Sequence, residues 1–329
     1  MSLTIDIWRH DWPMSEPFAI ARGVQHQQAT LQVRLCDPDG VEGRGETCGV
    51  YYAGDTLEKM ERQLQDVIPL ISQEVSRTEL LNLLPDGGAR HLIDTALWDL
   101  EAKRCSRSAF ELAELQPRSV QSARTIGIRS LAEYQATASQ LRDYPLLKVK
   151  VDAADPLAAI LAVRTGAPNA RLIIDPNQSW SVSRLKSLAL PLAELGNIEL
   201  IEQPIPVGEE WALDGWCSPV PLCADELINN QEDLKRAHGR FQYINIKLDK
   251  TGGLTTALTL ADAAVSQGFG LMVGCMGGSS LSMAPAMVLA QRCAFVDLDG
   301  PLLQSEDCEP GFSYLNGMVN TPYLTELWG

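Results

Sequence analysis

Histidine is scarce in this chain: four occur in 329 residues (His10, His26, His91 and His238), and none stands at the end of a predicted strand. That argues against a zinc hydrolase built on several histidines and leaves a Ser-His-Asp hydrolase without support. The eight cysteines are scattered with no CxxC pair, so reduced thiols in a cytoplasm fit better than disulfides or a zinc site. Cationic residues are also outnumbered, 27 Lys and Arg against 42 Asp and Glu, for a formal charge of −15. A surface of that sign disfavours nucleic acid and repels anionic lipid. No apolar run approaches the ~20 residues of a membrane span. The opening residues, Met1 to Asp6, lack the basic and apolar stretches of a secretory signal. A small-molecule substrate is the expected partner, and the sequence leaves a homo-oligomer open.

What is present falls into two rhythms. Residues 1–115 read as an α+β unit. Alternating strands are predicted at Thr4–Trp8 and Leu31–Leu35, and helices at Thr56–Glu74 and Ala89–Ala102. Over 122–300 eight short β-rich runs appear: Arg124–Ile128, Leu146–Val151, Arg171–Asp175, Ile198–Glu202, Pro221–Asp225, Tyr243–Lys247, Leu271–Cys275 and Ala294–Asp299. The landmarks Lys150, Asp175, Glu202, Asp225 and Lys247 recur every 22 to 27 residues, the length of one βα unit. Eight such units predict a closed (β/α)-barrel, because no glycine-rich phosphate turn follows the first strand of an open doubly wound sheet. The segment 301–329 is expected to return to the first domain.

Barrel chemistry gathers at the C-terminal ends of the strands, and the charges stand there. Asp175, Glu202 and Asp225 end the third, fourth and fifth strands. Three converging carboxylates repel one another unless a cation joins them, and oxygen-only ligands suit Mg²⁺ or Mn²⁺. Lys148 and Lys150 flank Val149 and so share the inward face of the second strand. A neighbouring ammonium and a nearby cation would lower a lysine's pKa toward a usable base. Lys247, four strands further round, would face this pair across the mouth. Two bases on opposite faces of one carbon are what a racemase or epimerase needs.

These motifs, together with Asn245-Ile246-Lys247-Leu248-Asp249-Lys250-Thr251-Gly252-Gly253 and the helix around Ala96-Leu97-Trp98-Asp99-Leu100, resemble the enolase superfamily, muconate-lactonizing subgroup. The resemblance spans essentially the whole chain. Ile20-Ala21-Arg22-Gly23, Gly274-Cys275-Met276 and Asp297-Leu298-Asp299-Gly300-Pro301 bring it nearest to the dipeptide epimerases within that subgroup. The resemblance implies a capping domain over a modified TIM barrel, Mg²⁺ on Asp175, Glu202 and Asp225, and Lys150 and Lys247 as the two bases with Lys148 as supporting cation. Cys275 and Met276 would line the substrate site, and Arg22 would hold a glutamate side-chain carboxylate from a loop over the mouth. Asp297 and Asp299, with one residue between them, would face a substrate ammonium group. The implied reaction is two-base 1,1-proton transfer through an enediolate at the C-terminal residue of a dipeptide such as Ala-Glu, with a role in recycling cell-wall peptides. Alternatives sharing these lysines and ligands are N-succinylamino acid racemase, o-succinylbenzoate synthase and muconate cycloisomerase, and outside enzymes an idle metal- or peptide-binding protein. Pro176-Asn177-Gln178 and Gly277-Gly278-Ser279-Ser280 depart from the usual pattern and bear on substrate range.

Overall fold

The computed structural model describes residues 2–320 and 324–329. Its N-terminal part is a three-stranded antiparallel sheet, β1 (Thr4–Ile20), β2 (Gly23–Cys36) and β3 (Glu42–Thr47), packed on α1 (Leu57–Ile71), α2 (Arg77–Leu83) and α3 (Gly88–Cys105). Leu31, Val33 and Leu35 of β2 meet Leu92, Ile93 and Ala96 of α3 in one apolar cluster. The approach is close enough to require glycine. A Cβ on Gly43 of β3 would stand 2.2 Å from the Ala96 carbonyl oxygen. The far side of α3 rests on the barrel, which explains why polar residues are buried there. Arg90 Nε donates to Gly252 O (3.0 Å), and Asp94 accepts from Thr255 N (3.1 Å).

The first two strands are much longer than the predicted segments. The sequence reading placed strands only at 4–8 and 31–35, yet the β1–β2 ladder runs on to Ile20 opposite Gly23, interrupted by a register shift between Pro13 and Phe18. The outer half of this ribbon takes its support from the barrel. Ile128 N donates to Ala19 O (2.7 Å), and Ser305 N donates to Pro13 O (2.9 Å). Local alternation could not reveal partners that lie more than a hundred residues away.

After α4 (Ala109–Leu112) and β4 (Val120–Gln121) comes an eight-stranded parallel sheet. Its strands are β5 (Arg124–Ile126), β6 (Leu146–Lys150), β7 (Arg171–Asp175), β8 (Ile198–Glu202), β9 (Leu222–Ala224), β10 (Tyr243–Ile246), β11 (Gly270–Gly274) and β12 (Phe295–Asp297), in sequential order. Closure between β12 and β5 is made by the parallel bridge Ser122–Val296. The connecting helices are α5 (Leu131–Gln140), α6 (Pro156–Gly166), α7 (Val182–Glu194), α8 (Leu234–Ala237), α9 (Leu248–Thr251), α10 (Leu254–Ser266) and α11 (Ser280–Ala290). The predicted rule of one helix per unit fails after β8, where a 3₁₀ turn at Glu210–Leu213 replaces it. The fold is a (β/α)-barrel, a modified TIM barrel, under an N-terminal α+β cap. The chain then runs through α12 (Gly300–Leu303), β13 (Tyr314–Leu315), β14 (Met318–Val319), which pairs with β4, and α13 (Leu324–Leu327). Trp328 Nε1 donates to Thr95 O (3.0 Å) on α3. Among the described residues no helix is long and apolar enough to cross a membrane, and all eight cysteines are free.

The barrel interior is layered by the two-residue period of its strands. Leu146, Ile173, Leu200 and Cys223 form an apolar floor with Met272 and Phe295. Two residues further along the same faces stand Lys148, Asp175, Glu202 and Asp225. The floor keeps water from the base of the site, and the next layer carries its charges.

Candidate active site

At the C-terminal ends of β7, β8 and β9 the three carboxylates are buried, at most 1% exposed. Lysines interleave them. Lys148 Nζ lies 2.8 Å from Glu202 Oε2, 2.7 Å from Asp297 Oδ2 and 3.1 Å from Asp175 Oδ2. Lys150 Nζ donates to Asp175 Oδ2 (2.6 Å), and Lys247 Nζ to Asp225 Oδ2 (2.7 Å). Lys250, quoted in its motif but given no role by sequence reasoning, donates to Asp225 Oδ1 (2.7 Å) and to the Asp225 carbonyl. Because β6 and β10 lie four strands apart, Lys150 and Lys247 reach one cavity from different sides of the ring.

The electrostatics are those of a dense, dry ion network. Burial opposes charge at Lys148, but Asp297, Glu202, Asp175 and Asp225 outweigh it and hold the ammonium well above the ordinary lysine value. Lys247 is likewise raised, with Asp225 overcoming burial. At both lysines the carboxylates in contact outweigh burial. Burial disfavours ionised Asp175, yet Lys150 and Lys148 bring it down to about 2. Burial pushes Glu202 up to about 7, with Asp175 and Asp225 adding to the rise against Lys148.

The donor set suits a hard cation. Among the described residues no three His, Cys, Asp or Glu side chains stand together as a ready-made metal cluster, because the ammonium groups lie between the carboxylates. The oxygens are nevertheless under-used. Asn177 Oδ1, Asn245 Oδ1 and Glu226 Oε2 are buried and accept no hydrogen bond, a costly state that an oxygen-seeking cation would relieve, while Glu202 Oε2 is held by the Lys148 ammonium at 2.8 Å. The backbone is also unusual here. Asn177 (φ 46°), Gln178 (φ 68°) and Gln203 (φ 33°), just past Asp175 and Glu202, adopt left-handed conformations that non-glycine residues hold only when surrounding structure enforces them. Gln203 Oε1 repays this by accepting from Asp225 N (2.9 Å), tying one strand end to the next.

The remaining predicted residues reach the same cavity: Arg22, Cys275, Met276, Asp297 and Asp299 all line it. Arg22 occupies the two-residue turn between β1 and β2. Its guanidinium pairs with Glu226 (2.6 Å) and stacks 4.5 Å from the Tyr52 ring. Asp297 and Asp299 do face inward, but neither is free. Asp297 holds Lys148, and Asp299 accepts from Arg124 Nη1 (3.1 Å), Thr125 N (2.7 Å) and Thr125 Oγ1 (3.0 Å). Sequence reasoning missed Glu226, Tyr52, Arg124 and Thr125. Adjacency to Asp225 was a usable signal for Glu226, and Tyr52 offered none.

The chain matches the Mandelate racemase / muconate lactonizing enzyme, N-terminal domain over residues 2–113 and the Enolase C-terminal domain-like family over 131–323. It belongs to the enolase superfamily. Within it, the chain is 38% identical over 320 residues to the L-Ala-D/L-Glu epimerase of Escherichia coli K12, covering 96% of this chain and 99% of that one. It is 42% identical over 258 residues to an N-acetyl-D-glutamate racemase of a Pseudoalteromonas species, covering 78% and 81%. The enolase family member from Agrobacterium tumefaciens with homology to dipeptide epimerases, solved with sodium and L-Ala-L-Glu, superposes with a TM-score of 0.96 at 38% identity, covering 99% of this chain and all of that one. A Methylococcus capsulatus dipeptide epimerase complexed with Mg and L-Arg-D-Lys superposes at 0.89 and 29% identity, covering 98% and 97%.

Proposed function

We propose that this superfamily member is a Mg²⁺-dependent dipeptide epimerase that inverts the C-terminal glutamate of Ala-Glu. The observation that carries the reading is the pair Lys150 and Lys247, brought from strands four apart to one cavity, each on a carboxylate of the same oxygen set. Asp175, Glu202 and Asp225 would hold the cation, with Mg²⁺ favoured and Mn²⁺ an acceptable substitute for such ligands. When bound, Mg²⁺ supplies positive charge for the negative charge that grows on the substrate carboxylate as the α-proton leaves.

The chain's own groups do the rest. One lysine, entering neutral, takes the α-proton from its side of the carbon and becomes an ammonium. The other, entering as an ammonium, returns a proton to the opposite face, so configuration inverts and charge balances over the cycle. Lys148 stays charged among its carboxylates and supports the enediolate without exchanging protons. Arg22 leaves Glu226 to pair with the substrate's side-chain carboxylate, a bidentate match of charge and shape. Asp297 and Asp299 meet the free amino end, and Cys275 and Met276 form the wall beside it. Free thiols throughout agree with a cytoplasmic setting.

A second reading has its own support. The 42%-identical relative is named for an N-acetylated glutamate. Both readings share glutamate, so Arg22 serves either. The test is incubation with Ala-Glu and with N-acetylglutamate in D₂O, following α-proton exchange by NMR. Faster exchange into Ala-Glu is expected. Exchange confined to N-acetylglutamate moves the assignment to the second reading, and none in either substrate overturns both.

A further inference from the structure

The wall at the amino end of the cavity is two-sided. Thr125 lines both the reaction cavity and an adjoining cleft of about 260 Å³, and its neighbour Arg124 lines only the cleft, with Arg129 and Thr137. From that side Arg124 Nη1 reaches Asp299 Oδ2 at 3.1 Å, and Nη2 donates to Leu302 O at 2.9 Å. Asp297 and Asp299 are close enough to share the Thr125 hydroxyl, at 3.3 and 3.0 Å. One hydroxyl proton cannot serve two anions, and two carboxylates side by side repel unless each has a countercharge. Asp297 has Lys148, and among the described residues the cation paired with Asp299 is Arg124.

We propose that Arg124 is a positioning residue for amino-end recognition: from outside the cavity it supplies the countercharge that lets Asp297 and Asp299 face a substrate ammonium together, and so favours a free dipeptide over an N-acylated glutamate. The inference rests on the epimerase reading above and deepens it. Other groups around Asp299 do not replace the guanidinium. Cys275 and Tyr314 are neutral, the Tyr314 hydroxyl being spent on Leu298 O (2.6 Å), and Lys148 is committed to Asp297, Glu202 and Asp175. Burial together with Asp297 already raises the Asp299 pKa, and Arg124 with the Thr125 contacts pulls it back. Without Arg124, Asp299 takes up a proton at higher pH than it does in the parent. An incoming ammonium group must then expel that proton, whereas an N-acyl substrate has no amino charge and loses nothing.

The experiment compares the parent with Arg124→Gln, whose amide keeps a donor toward Leu302, and with Arg124→Met in case the amide variant does not fold. kcat/KM is measured for Ala-Glu from about pH 6 to about pH 8. N-acetylglutamate is measured alongside, as substrate or as competitive inhibitor. Taking the variant-to-parent ratio at each pH cancels ionisation of the substrate's own amine. The ratio for Ala-Glu is expected to fall about tenfold at the acid end, the equivalent of one pKa unit, through KM rather than kcat. It should recover toward the alkaline end, while N-acetylglutamate stays flat and Arg124→Lys restores the parent profile. A loss on Ala-Glu that does not vary with pH, or an equal loss on both ligands, overturns the proposal. A parent enzyme inert toward Ala-Glu counts against the epimerase reading instead, and the same comparison is then made on dipeptide affinity by calorimetry.

Discussion

The barrel mouth and the cap hairpin contribute to one cavity by opposite means. At the mouth, Asp175, Glu202 and Asp225 are essentially unexposed and stand at strand ends, with Lys148 bridging Asp175 and Glu202, Lys150 on Asp175, and Lys247 and Lys250 on Asp225. At the hairpin tip, Arg22 keeps a quarter of its side chain exposed and makes one ion pair, to Glu226. Proton transfer tolerates little error in the placement of reacting atoms, so its groups sit on the stiffest part of the fold. In the proposed reading Arg22 selects the substrate from a two-residue turn at the end of a long ribbon. The difference teaches that chemistry and selectivity can be perturbed separately.

The sharpest break is at the mouth. Lys150→Ala and Lys247→Ala should each abolish epimerisation, a loss of about three decades or more, with the circular dichroism spectrum unchanged. Either mutant can retain exchange of one epimer's α-proton with D₂O, and full epimerisation by either would remove the two-base mechanism. Metal removal comes next. A chelator should stop turnover and Mg²⁺ restore it, with Asp175→Asn, Glu202→Gln and Asp225→Asn mimicking the chelated state. Thermal denaturation should move little, because the ammonium groups already countercharge the carboxylates. Activity insensitive to chelation, or dependent on zinc, would contradict the oxygen-ligand assignment.

At the hairpin the effect should be smaller and selective. Arg22→Ala is expected to lower kcat/KM for Ala-Glu by about one to two decades, the range of a charged hydrogen bond at roughly 1.5–3 kcal/mol. A dipeptide ending in an apolar residue should lose far less. A uniform loss on both would assign Arg22 to closure of the cavity instead of to glutamate. The smallest change in activity is expected deep in the cap. Gly43→Ala places a methyl group against the Ala96 carbonyl and should cost about 1–3 kcal/mol of stability in denaturant titration. At low temperature kcat should stay near the parent value, and a large drop would mean that cap packing governs the chemistry after all.

Much of the mouth was legible in the sequence because its signals are local. Asp175-Pro176, Glu202-Gln203-Pro204 and Lys148-Val149-Lys150 each follow a short apolar run, and a two-residue period then decides which side chains enter the barrel. The strand ends were read to within one or two residues for most units. The long hairpin was not, since its outer rungs rest on Gly127–Ile128 and Leu303–Ser305 of the barrel. Nor was the Glu46 junction, where a carboxylate of β3 accepts from Ser279 N (2.7 Å) and Ser279 Oγ (2.7 Å) at the start of α11. Nothing in the residues around Glu46 distinguishes it from a solvated strand glutamate.

By itself, then, the sequence determined the eight-unit rhythm and the charged layer at the strand ends, because alternation along a strand is fixed by neighbours two residues apart. The tertiary structure alone decided which charges neutralise which. Arg22 finds Glu226 across 204 positions of chain, Arg124 finds Asp299 across 175, and Ser279 finds Glu46 across 233. An ion pair or hydrogen bond depends on a few ångströms of separation in space. Separation along the chain carries no trace of that distance until the barrel has closed and the cap has settled on its mouth.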